Sequence, residues 1–90
     1  MANERPAFSK RLNNVSVTCW RNQTDGQIWY STVFTRRFRE GDKWRDVSTF
    51  TGLGDLALLN QAIELARDFI RREEAKQDQT LSDEEDSQEQ

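Results

Sequence analysis

Asp25-Gly26 stands between two segments that alternate apolar and polar residues, and few folds accommodate that arrangement. Glycine accepts the positive φ that a two-residue hairpin turn needs, so "QTDGQ" marks a chain reversal. Before it, residues 12–22 ("LNNVSVTCWRN") set Val15, Val17 and Cys19 against Ser16, Thr18 and Trp20, the period of two of a half-buried strand. After it, residues 27–38 ("QIWYSTVFTRRF") are rich in β-branched and aromatic types and predict a long second strand. "REGD" supplies another turn, and residues 43–50 ("KWRDVSTF") a third strand. Residues 1–9, with Pro6 and an isolated Phe8, read as a flexible arm. The expectation is an antiparallel meander of three strands, or four if residues 7–12 add one.

Residues 55–73 change period. At 100° per residue Leu56, Leu59, Ile63, Ala66 and Ile70 form one stripe, and Leu58, Ala62, Leu65 and Phe69 a second beside it. Together they span about half the helix, wider than the roughly 100° that one packed face requires. One stripe can cover the sheet. The other needs a further surface, either the N-terminal arm or another copy of the helix, and Leu58, Ala62, Leu65 and Phe69 are assigned to a homodimer interface. The fold class expected is α+β: an antiparallel meander, one C-terminal amphipathic helix and a disordered acidic tail. The domain spans residues 10–73 and the tail residues 74–90.

Charge separates tail from body. Residues 1–72 carry 12 Lys+Arg against 8 Asp+Glu, whereas residues 73–90 carry one Lys against 8 acids. The overall −3 therefore describes the tail and misdescribes the body. A basic body suggests an anionic partner, with a tail that competes for it or docks another protein. From Glu73 onward only Ala75 and Leu81 are apolar, too little to offset the entropy of ordering.

Chemistry is constrained by what is missing. The chain has no histidine, which removes the commonest general acid–base group and the Ser/His and Cys/His pairs. Its acids before the tail sit singly in turns or on the helix, without metal-ligand grouping, so neither an enzyme nor a metal or cofactor is expected. The single cysteine, Cys19, shares the parity of Val15 and Val17 and reads as a small core residue in a cytosolic protein. No apolar stretch approaches the roughly 20 residues that span a bilayer. "TGLGDLA" (51–57) matches the G-x-G-x-x-A dinucleotide pattern, but a dinucleotide site needs a parallel βαβ unit, and here the preceding strands are antiparallel and polar tail follows the helix. It reads instead as a tight strand-to-helix connection, with Asp55 complementing the helix N-terminus.

What remains is the interleaving of rings and cations. Arg36, Arg37, Arg39, Lys43 and Arg45 lie within ten residues, beside Phe34, Phe38 and Trp44. Parity places Ile28, Tyr30, Phe34 and Phe38 toward the helix and Trp29, Val33 and Arg37 on the open face, with Trp20, Arg21, Trp44 and Arg45 as further candidates for that face. Two explanations fit. Tryptophans commonly fill cores and interfaces, and strand cations discourage aggregation. Alternatively, rings beside a basic groove stack bases while the cations hold phosphates.

The stretches "VSVTCWRNQTDGQIWYSTVFTRRFREGDKWRDVSTF" (15–50) and "GDLALLNQAIELARDFI" (54–70) resemble the single-stranded-DNA-binding fold of the positive-cofactor-four transcriptional coactivators. "WYSTVFTRRFREGDKWRDVSTF" followed by "DLALLNQAIELA" is also similar to a group of small uncharacterised bacterial proteins. The first resemblance implies a dimer whose helices meet and whose sheets form grooves for single strands. Arg21, Trp29, Arg37, Lys43 and Arg45 carry over to that groove. The family's fold usually has four strands, and here the first can come only from residues 7–12. The resulting expectation is a protein that binds single-stranded nucleic acid, DNA in preference to RNA. Arg21, Arg36, Arg37, Arg39, Lys43 and Arg45 serve as phosphate contacts, and Trp29 and Trp44, with Trp20, as stacking rings. The alternative is a module whose sheet face and basic hairpin bind an acidic protein.

Overall fold

The computed structural model describes residues 5–89, with side chains described for residues 5–77. Four strands, β1 (Phe8–Leu12), β2 (Val15–Thr24), β3 (Gln27–Glu40) and β4 (Lys43–Val47), form one sheet in the order β1-β2-β3-β4, followed by the helix α1 (Gly52–Glu89). Every neighbouring pair is antiparallel. The fourth strand does come from residues 8–12, so Phe8 and Ser9 belong to the sheet and not to a flexible arm.

Tight turns set the register. Asp25 (φ 54°) and Gly26 (φ 82°) both adopt positive φ between the paired Thr24 and Gln27, the requirement of a type I′ hairpin. Gly41 (φ 63°) opens the turn between Glu40 and Lys43, and Asn13 (φ 59°) the one between Leu12 and Val15. Asparagine tolerates that region better than most residues, because its short side chain can hydrogen-bond locally.

The core is small and lies between β2 and α1. Val15, Val17 and Cys19 are fully buried against Ala62 and Ala66, with Phe8, Leu12, Phe34, Phe50, Leu58, Phe69 and Ile70 packed around them. The Phe69 ring stacks on Phe8 at 4.9 Å and meets the edge of Tyr30 at 5.6 Å. Two alanines at the centre of the contact let the helix backbone approach β2 closely.

This packing corrects the assignment of the helix stripes. Leu58, Ala62 and Phe69, expected at a dimer interface, cover the chain's own sheet. Leu65 lines a groove of about 390 Å³ between the helix and Lys10 and Leu12 of β1. The other stripe is divided: Ala66 and Ile70 join the core, whereas Leu56 is 48 % exposed and Leu59 and Ile63 are half-buried. The reason is the line of contact: the seam between the two stripes, with Ala62 from one and Ala66 from the other, lies over β2 and is flanked by β1 and β3.

Boundaries differ at two further places. The third strand stops at Val47 instead of Phe50, because residues 48–50 turn toward the helix and Phe50 joins the core. β4 therefore pairs with Arg36–Glu40 only, and the outer edge of β3 from Gln27 to Thr35 is unpaired among the described residues. The helix continues through Glu73, supported by the Lys76–Glu73 pair at 3.1 Å and by good helix formers. The side chains of the acidic segment from residue 78 lie outside the described residues. Among the described residues no helix is long and apolar enough to cross a membrane.

Candidate nucleic-acid interface

In an antiparallel ladder, residues directly opposite one another share a face. The register therefore assigns every strand residue to the helix side or the open side. On the open side Ser9 and Arg11 of β1 meet Thr18 and Ser16 of β2. Trp20 and Asn22 of β2 lie opposite Ser31 and Trp29 of β3. Arg37 and Arg39 of β3 lie opposite Asp46 and Trp44 of β4. All three tryptophans thus fall on the face that the helix leaves uncovered. Trp29 is 46 % and Trp44 is 54 % exposed.

The two ends of this face differ. Trp20 and Trp29 are diagonal neighbours across β2 and β3, a relation that brings Cβ atoms to about 7–8 Å. Around them the open-face positions are uncharged: Thr18, Asn22, Thr24, Gln27 and Ser31. Asn22 is held by its side-chain amide, which donates to Ser31 Oγ at 2.9 Å. Val33, 46 % exposed, separates this end from the other. There the Arg37 guanidinium lies over the Trp44 ring at 4.5 Å, and that of Arg39 at 5.5 Å. Arg39 Nε also donates to the Gly41 carbonyl at 3.2 Å, which ties it to the turn. Asp46 faces Arg37 across the ladder, yet among the described residues no carboxylate lies within ion-pair distance of Arg37.

The remaining expected cations lie elsewhere. Arg21 pairs with Tyr30, Arg45 with Phe38 and Lys43 with Glu40, which puts all three on the helix-side parity, exposed at the margins of the sheet. Arg45 forms an ion pair with Glu40. Arg21 and Arg45 therefore do not join Trp20 and Trp44 on the open face: neighbours in sequence point to opposite faces of a strand. Arg11 was missed, although it sits on the open face beyond Ser16. The signal was available in the alternation of Phe8 and Leu12 with Arg11 between, once residues 8–12 are read as a strand.

Arg36 is a structural residue. Its side chain is 19 % exposed and its Nε donates to the Thr49 carbonyl at 2.7 Å and lies 3.4 Å from Asp55 Oδ2. Asp55 Oδ2 also accepts the Thr51 N–H at 3.0 Å, and Oδ1 accepts from Asn14 Nδ2 at 3.3 Å. One carboxylate thus joins the β1–β2 turn, β3 and the start of the helix. The Thr51 hydrogen bond lowers its pKa below the ordinary 3.8, partial burial works against it, and Asn14 and Arg36 lower it further. Arg36 is absorbed by this clasp and is not presented to a ligand.

Among the described residues no group of three or more acidic, cysteine or histidine side chains is placed to hold a metal ion. Compared with family models, curated proteins and solved structures, the chain matches none of them.

Proposed function

We propose that the open sheet face binds single-stranded nucleic acid, with rings stacking on bases and arginines holding phosphates. The observation that carries this reading is the placement of Trp20, Trp29 and Trp44 on the one face left uncovered, with Arg11, Arg37 and Arg39 on the same face. A core would have drawn the rings to the other side of the sheet. The resemblance of residues 15–50 and 54–70 to the positive-cofactor-four fold favours DNA over RNA. Arg21, Lys43 and Arg45 act at the margins, where a strand leaving the face meets further positive charge.

The working form is a homodimer formed through the outer flank of the helix. Leu53 (86 % exposed) and Leu56, with the half-buried Leu59 and Ile63, make an apolar stripe that the described residues leave partly open. Sedimentation at roughly 50 µM, above common dimer dissociation constants, should give twice the chain mass. A monomer at that concentration removes this part of the proposal.

Binding is tested by titrating oligo-dT and oligo-U against intrinsic tryptophan fluorescence at two salt concentrations. Stacking should quench the emission. Three phosphate contacts should give a log–log salt slope of about −2, at about 0.7 per contact. Absence of binding at low salt overturns the proposal and leaves an acidic protein as the partner the face suits.

A further inference from the structure

The open face is not uniform, and its two ends have different chemistry. Resting on the single-strand reading, we infer that the face is divided along β3 into a base-stacking half at Trp20 and Trp29 and a phosphate-holding half at Arg11, Arg37 and Arg39, in which Trp44 positions the two β3 arginines instead of receiving a base.

Three observations support the division. First, the open-face residues around Trp20 and Trp29 are uncharged, so that end offers ring faces and amide or hydroxyl groups but no cation to neutralise a phosphate. Second, Trp44 already carries guanidiniums at 4.5 and 5.5 Å, whereas no cation lies over Trp20 or Trp29 among the described residues. A base arriving at Trp44 must displace a cation held by the ring quadrupole. A phosphate meets two arginines already oriented. Third, Arg37 rests on Trp44 although Asp46 is its cross-strand partner, which leaves its charge unneutralised by a carboxylate and open to an anion.

The nearest members of the two halves, Arg11 (opposite Ser16) and Trp20, are separated by four residues along β2, about 13 Å at the usual strand rise, and Trp29 and Arg37 by eight along β3, about 27 Å. A ligand that engages both halves is therefore a strand and not a mononucleotide: at about 3.4 Å per stacked nucleotide it needs roughly four to eight. Trp44 is therefore a positioning residue, acting through Arg37 and Arg39.

The test uses the full chain with two probes of equal phosphate count, a dT 12-mer and an abasic 12-mer, each titrated across a salt series. Trp29→Ala should weaken the dT 12-mer about tenfold, leave its salt slope unchanged and leave the abasic strand unaffected, as expected for loss of one stacked base. Trp44→Ala should weaken both strands by the same factor and reduce the slope by about 0.7–1.4, one or two phosphate contacts. Trp44→Phe should restore part of the loss, since a smaller ring still holds a guanidinium. Combined with Arg37→Ala, Trp44→Ala should add less than its single effect. Both tryptophans are exposed, so unchanged melting temperatures are expected and are measured alongside. If Trp44→Ala instead weakens only the dT 12-mer, with its slope intact, Trp44 is a stacking ring and the division is wrong. If the unmodified chain binds neither strand, the single-strand reading itself fails, an outcome distinct from the first.

Discussion

Arg36 and Arg37 are adjacent in the chain and face opposite sides of the sheet. Arg36 closes the clasp with Thr49 and Asp55, and Arg37 lies over Trp44. Their alanine variants should separate. Arg36→Ala should cost about 1 kcal/mol, a melting-temperature drop of roughly 4–8 °C, and leave the salt slope of oligonucleotide binding unchanged. Arg37→Ala should barely move the melting temperature and should reduce the slope by about 0.7. Parallel melts and salt titrations decide this, and a melting loss at Arg37 comparable to that at Arg36 contradicts it. Asp55 adds a pH dependence. Its folded pKa is depressed, chiefly by the Thr51 N–H, so its stabilisation is present above the unfolded value of 3.8 and is lost as pH falls through the folded value. Asp55→Asn should melt lower than the unmodified chain at neutral pH, and the gap should close as melts are taken toward about pH 2. A gap constant across that range would show that the carboxylate's charge contributes nothing.

The helix is an element with two apolar stripes, and its contact with β2 determines what each one does. Phe69 is wedged between Phe8 and Tyr30, so Phe69→Ala should cost about 3 kcal/mol. In a domain with so few fully buried side chains, that is enough to leave a large unfolded fraction at room temperature, visible by circular dichroism. Ala62 is fully buried in the core with Val15, Val17 and Cys19. Ala62→Leu should cost about 1–3 kcal/mol by forcing helix and strand apart. Leu56→Glu should do neither. With nearly half its surface already in water, Leu56 can carry a charge without unfolding the chain, and the change should instead shift sedimentation from dimer to monomer. Unfolding by Leu56→Glu would mean that the outer stripe is part of the chain's own core.

At the scale of the whole molecule, charge is divided along the chain. Residues 78–90 contain six acids and no cation, so removing them turns the net charge from −3 to +3. Deletion of residues 78–90 should raise affinity for oligo-dT, most strongly at low salt, where screening extends over tens of ångströms. Unchanged or weaker binding would rule out competition between the tail and the ligand, and would favour a tail that docks another protein. The deletion leaves the core and the Asp55 clasp intact, so the melting temperature serves as the control.

Much of the architecture follows from local physics. The positive φ at Asp25-Gly26, the alternation of Val15, Val17 and Cys19, and the assignment of Trp29 and Arg37 to one face are consequences of turn geometry and of a side-chain period of two, which act within a few residues. The long helix likewise follows from its apolar arc, although its end does not, because helix formers continue past Glu73. What the tertiary structure alone decided is pairing across distance. Trp44 and Arg45 could not both face the open side, and only the register with β3 shows that Trp44 does. Arg36 finds Asp55 nineteen positions away, a partner no local pattern names. Which apolar residues of α1 meet the sheet is likewise a tertiary matter: Ala62 and Ala66, one from each stripe, are buried against Val15, Val17 and Cys19, and their small size counts only when β2 lies against them.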